Sequence, residues 1–145
     1  MTATTAPGRP GNRLSAGDRR IAGLMALEAA TLAVFGVLHI AGVLRPGSGA
    51  SSAGFGAGVA EAIICLVLVL GLRAFVRSPA RGRLIALGAT VFAILGFIVG
   101  LSFTVRGGAP IDLIYHATTF PILIVTALML ARGAGLSALG GGRRL

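Results

Sequence analysis

Lysine does not occur in this 145-residue chain, and charge of either sign is scarce. Only 12% of residues are charged while 55% are hydrophobic, with a mean hydropathy of +0.92. So little polar surface excludes a soluble domain of this size. All thirteen basic residues are arginine, and with 23 glycines this composition points to the codon usage of a GC-rich bacterial genome. The net charge of +9 would suit nucleic acid, but the arginines lie between and beside the apolar runs rather than in one stripe, so nucleic acid is not an expected partner. The lone cysteine, Cys65, excludes an intrachain disulfide. A phosphate-binding glycine loop, a nucleophile elbow, and HxxxH or CxxC spacing are all missing, which argues against an enzyme of the soluble type.

What is present is four apolar runs, at about 20–44, 54–76, 84–104 and 111–131. Each is near the ~20 residues that cross ~30 Å of hydrocarbon at ~1.5 Å per residue. The breaks are a Pro-Gly-Ser segment at Pro46 to Ser52, a polar turn at Ser78 and Pro79, and Gly107, Gly108 and Pro110. The first run carries Glu28 and His39 and is too long for a cleaved signal. Residues 1–18 read as a disordered tail, 19–132 as the transmembrane domain and 133–145 as a flexible tail. Eleven arginines fall at Arg9, Arg13, Arg19, Arg20, Arg73, Arg77, Arg81, Arg83, Arg132, Arg143 and Arg144, against Arg45 and Arg106 in the other two loops. Positively charged loops resist translocation, so both termini are expected on the cytoplasmic side of a bacterial plasma membrane. The expected fold is an all-α integral membrane protein, a four-helix up-down bundle within the lipid bilayer.

In the third run Ala89, Ala93, Gly96 and Gly100 form a stripe of small residues on one face. Such stripes let helix backbones approach closely in lipid. Packing inside the bundle is the favoured use, and an interface with another membrane protein or a second copy is the alternative.

Ionisable side chains inside a span cost of order ~2.5–3.5 kcal/mol for a residue such as Asp, so they are usually buried, paired and often functional. Here they are Glu28 and His39 in the first run, Glu61 in the second, and Asp112 and His116 in the fourth. Counting from the outer boundary at ~1.5 Å per residue puts His39 roughly 7 Å deep, Glu61 roughly 10 Å and His116 roughly 8 Å, one shared layer from three helices. Asp112, His116 and Thr119 share a helix face, and Cys65 lies one turn from Glu61. Glu28 is on the His39 azimuth but ~16 Å further in, suiting the inner end of a proton path, a quinone contact or a neutral helix-locking acid. Pro121 is expected to kink the fourth helix near His116.

Several chemistries fit this layer. His39, His116 and Glu61 could ligate a metal ion, with Asp112 orienting His116 and Cys65 as a soft ligand for copper. His39 and His116 could instead be axial ligands of a haem within the bundle. Without a cofactor, the same groups could form a proton-titrating or quinone-facing cluster, or simply fix helix packing. A metal-, haem- or quinone-binding redox accessory protein is therefore the leading expectation. A proton-coupled transporter of a small solute and a structural subunit of a membrane complex are the alternatives.

The second run, GVAEAIICLVLVLGLRA, has a glutamate opening an apolar helix that ends in Gly-Leu-Arg, and the fourth reads GGAPIDLIYHATTFPILIV. The first of these resembles the equivalent helix of DoxX-like four-helix membrane proteins. The whole chain is similar to short four-span proteins of actinobacteria with an acidic residue and a histidine opening the last span. The resemblance implies a four-helix membrane bundle associated with quinone or thiol redox systems, and carries over at Glu61.

Overall fold

A computed structural model describes residues 14–44 and 51–140, with side chains over 14–44 and 54–133. The Pro-Gly segment 46–50, the outermost parts of both tails, and Arg9, Arg13, Arg45, Arg143 and Arg144 lie outside the described residues. The chain forms α1 Ala16–Ile40, α2 Ser51–Arg77, α3 Pro79–Thr104 and α4 Pro110–Gly140. Each contains a stretch long and apolar enough to cross a membrane: Ala16–Ile40, Gly54–Arg77, Pro79–Thr104 and Pro110–Gly133.

The helix ends depart from the apolar runs, and local chemistry explains why. α1 begins before Arg20 because Ser15 caps it, accepting from the Asp18 backbone N–H at 3.1 Å and donating to the Asp18 carboxylate at 2.7 Å. It stops at Ile40 although the apolar run continues to Leu44. Gly42 takes a left-handed φ of 71°, and the Val43 amide turns back to the Leu38 carbonyl. Glu28 therefore has twelve residues of α1 on either side, Ala16–Leu27 and Ala29–Ile40, and sits at the middle of the helix rather than near its inner end. At the other extreme α4 continues to Gly140, past the expected boundary of the tail. It also runs through Pro121 as one continuous helix.

Between α2 and α3 only Ser78 intervenes. Pro79 occupies the first turn of α3, where its missing N–H costs nothing. Gly82 lies so close to the Ala74 carbonyl that a Cβ would collide with it. Gly107, at φ 142°, and Pro110 shape the turn into α4.

Packing runs α1 on α2, α2 on α3, α3 on α4 and α4 back onto α1, the last being the thinnest seam. Every pair is antiparallel. Gly36 meets Gly58 while Ala29 meets Cys65, and Glu28 meets Thr126 while His39 approaches Asp112. The described residues thus form a four-helix up-down bundle. Its interior is filled by Met25, Leu32, Leu68, Phe75, Ala86, Ala93, Leu123 and Leu130, while Val34, Leu66, Leu95 and Leu128 are among the large apolar side chains left on the outside. An outer surface of this kind is suited to lipid contact.

The small-residue stripe of α3 is used within the chain. Ala89 faces Gly71 of α2, Gly96 faces Ile64 of α2, and Gly100 faces His116 of α4. Because these neighbours occupy the stripe, it is not left open for a second copy.

The end carrying Asp18 is tied by one side chain. Arg83 of α3 donates to Asp18 of α1 at 2.5 Å, lies 5.2 Å from the Phe75 ring centroid of α2, and packs against Gly133 of α4. All four helices therefore meet at Arg83.

Candidate functional site

The opposite end holds the polar residues. His39 is the penultimate residue of α1, Thr104 the last of α3 and Asp112 the third of α4. Two helix ends and one helix start thus converge, and α2 passes beside them with Glu61. His39, Glu61, Asp112, His116 and Thr104 are all buried.

The His39 Nδ1 and Glu61 Oε2 atoms are 2.7 Å apart, joining α1 to α2. Close approach of the backbones makes this possible: a Cβ on Gly58 would lie 2.7 Å from the Gly36 carbonyl oxygen, one turn from the pair. On its other side His39 directs Nε2 toward Asp112 Oδ1 at 3.9 Å. Thr104 donates to Asp112 Oδ2 at 2.8 Å, and His116 Nδ1 lies 3.3 Å from Oδ1 and 2.9 Å from the Asp112 carbonyl oxygen. Asp112 is thus the hub, held by α3 and by its own helix while facing α1.

The grouping of donors differs from the expected metal site in two respects. The donors that converge are His39, Glu61 and Asp112, whose ligand atoms all lie within 4.8 Å of one another. His116, expected as a ligand, lies outside that group and meets Asp112 instead. Its Nδ1 is turned into its own helix, and its Nε2 faces Gly100, where an added Cβ would be 2.8 Å away. Cys65 does not join the cluster; its thiol donates to the Ala29 carbonyl at 3.2 Å. Thr119 is buried on the same face of α4 but takes no part in the hydrogen bonds of the cluster.

Donors at ~2.0–2.2 Å from a shared ion are at most ~4.4 Å apart, and the 4.8 Å within which the three groups lie is close to that span. A bis-histidine haem does not fit. It needs two imidazoles aimed at one iron from opposite faces, whereas the Asp112 carboxylate lies beside His39 Nε2 and His116 Nε2 points at α3. Nor does a quinone head find partners in the groove of about 330 Å³ between α1 and α2. Its walls are Ala33, Gly36, Val37, Ile40, Ala62, Leu66 and Val69, with Cys65 the one polar contribution.

Two residues escaped the sequence reading. Thr104 looks like an ordinary helix-end threonine, and only the α3–α4 turn brings it to Asp112. Tyr115 lies inside an apolar run, yet it is buried, stacked on Phe35 with ring centroids 3.7 Å apart, with its hydroxyl lacking a hydrogen-bond partner. Its position next to His116, as the sole tyrosine of the chain, was the available signal.

Gly100→Ala tests the support around Asp112. The added methyl must displace the His116 ring while leaving His39, Glu61 and Asp112 in place. The affinity for an ion held at these three groups is expected to fall about tenfold, as when a group that orients a ligand is lost. Titration with zinc or manganese checks it, and an unchanged affinity would remove His116 from the site.

Comparison with known proteins finds no matching family model, no matching curated protein and no matching solved structure.

Proposed function

We propose that this chain is a multi-pass membrane protein that binds a divalent first-row transition-metal ion between His39, Glu61 and Asp112. The observation that carries the reading is the convergence of these three buried donors from three helices. Charge supports it, because two carboxylates and a neutral imidazole around a doubly charged ion make a neutral unit, the one kind of ionic assembly that an apolar bundle holds cheaply. One nitrogen and two oxygens suit zinc, manganese or ferrous iron better than copper(I), which favours thiolate and thioether sulfur. Thr104 and His116 act through Asp112 by fixing its carboxylate.

The arginines at the Arg83 end favour a cytoplasmic side for that end, which would set the metal site toward the outside of a bacterial plasma membrane with both termini inside. The likeness to DoxX-like proteins would set the protein beside a quinone or thiol redox system, with Glu61, the shared position, among the ligands.

The test is metal retention. Protein purified in detergent, loaded with zinc or manganese and desalted, is expected to hold about one ion per chain by elemental analysis. His39→Ala, Glu61→Gln and Asp112→Asn should each abolish retention. Retention should also fall as the pH is lowered, because protons compete for the same nitrogen and oxygens. A metal-free wild type, or variants that retain metal as well as wild type does, would overturn the reading.

A further inference from the structure

The chain has four side-chain carboxylates, and each is committed: Asp18 to Arg83, Glu28 to Thr126, Glu61 to His39 and Asp112 to Thr104. Arg19, Arg20, Arg73, Arg81 and Arg132 are exposed around the Arg83 end, and no carboxylate side chain of the chain is left to balance them. Their counter-charge comes from outside the chain.

Two of these arginines flank one seam. The Cys65 thiol meets the Ala29 carbonyl across α1 and α2 at 3.2 Å, which fixes the antiparallel register. Arg19 lies ten residues before Ala29 and Arg73 eight after Cys65, so the two are level to within ~3 Å along the helix axes. Their directions agree as well. Arg19 is eighteen residues, or five whole turns, from Val37, and Arg73 extends the i, i+3, i+7 row of Leu66 and Val69. Val37, Leu66 and Val69 are walls of the groove of about 330 Å³ between the same two helices. Cations and groove therefore share the lipid-facing side of one seam.

The depths match a lipid. On α2 the groove walls run from Val69 to Ala62, ~6–17 Å from Arg73 along the axis, close to the ~15 Å that one leaflet of a ~30 Å hydrocarbon core provides. A phospholipid offers an anion at the helix end and an apolar chain reaching toward the mid-plane. The planar fork of arginine suits phosphate oxygens, and basic groups between membrane helices are a known setting for anionic headgroups.

We propose that the lipid-facing side of the α1/α2 seam binds an anionic phospholipid, its phosphate between Arg19 and Arg73 and one acyl chain in the groove beyond Val69. An apolar helix or a second copy would fill the groove but leave both arginines unbalanced, so charge favours the lipid. None of the metal donors takes part.

Native mass spectrometry of the full chain in detergent tests this, with dioleoyl phosphatidylglycerol and dioleoyl phosphatidylcholine as probes. One phosphatidylglycerol per chain is expected to stay bound under conditions that strip phosphatidylcholine. Arg19→Gln and Arg73→Gln should each weaken its binding about fivefold, the loss expected for one arginine near an anionic surface. Arg106→Gln, exposed at the opposite end, should leave it unchanged. Cys65 supplies a second readout because it lines the groove. A bound chain covers the thiol, so alkylation by N-ethylmaleimide should be slower with phosphatidylglycerol than with phosphatidylcholine, and Arg19→Gln/Arg73→Gln should remove the difference. Equal retention of the two lipids, wild-type binding in both arginine variants, or alkylation that ignores the lipid would overturn the proposal. A lipid-free dimer in the same spectra would give the groove to a second copy and overturn it as well.

Discussion

Replacing Glu61 by leucine is expected to destabilise the bundle by about 3–5 kcal/mol, whereas the double variant His39→Leu/Glu61→Leu should recover most of that loss. The asymmetry follows from burial. His39 and Glu61 have side chains only 2% and 10% exposed and lie 2.7 Å apart, so removing one strands the other away from water. Removing both replaces a pair that was expensive to desolvate with apolar contacts between α1 and α2. Asp112 keeps Thr104 and His116 in either variant. The size of the single-variant loss is diagnostic. Hydrogen bonds between neutral groups in membrane bundles average about 0.6 kcal/mol, so a loss near that value would mean the pair is an ordinary neutral contact. Equilibrium unfolding of the wild type and the two variants in mixed micelles measures both quantities.

The second large effect comes from one added methyl group. Gly58→Ala would place a Cβ 2.7 Å from the Gly36 carbonyl oxygen and 2.9 Å from the Ile40 amide nitrogen, both backbone atoms that cannot turn aside. The α1/α2 crossing must open, and overpacking of this kind costs about 1–3 kcal/mol. Because His39 and Glu61 face each other within a turn of that crossing, metal retention should fall together with stability although every ligand remains. Gly56→Ala is the matched comparison. Nothing lies within 4 Å of its added Cβ, and alanine is the better helix former by about 0.5–1 kcal/mol, so that variant should be neutral or more stable. Equal losses in both variants would show that the close crossing does not set the stability of this part of α2.

What the sequence made legible depended on which property recorded it. Four spans follow from hydropathy summed over ~20 residues, a signal too strong for local detail to hide. Helix ends are set by single residues, and there hydropathy misleads. The run through Leu44 continues past the helix because Gly42, not polarity, ends α1. That shift moved Glu28 from near one boundary to the centre. Axial depth brought His39, Glu61, Asp112 and His116 into one neighbourhood, but depth does not fix where a ring points. The His116 Nδ1 lies against the carbonyl one turn back, and it is Asp112 that faces His39. Thr104 and Tyr115 were hidden for a different reason. A hydroxyl in an apolar segment has no periodicity that separates a functional group from a tolerated one.

The midpoint position of Glu28 also has an electrical meaning. Moving one elementary charge across a whole membrane is worth about 2.3 kcal/mol per 100 mV, so a charge that arrives at the centre from either face feels about half of that. Occupancy of Glu28 by a proton would accordingly respond to voltage by about 1.2 kcal/mol per 100 mV, close to an eightfold change in the equilibrium. The metal cluster, near the end of the bundle, would scarcely sense the same field.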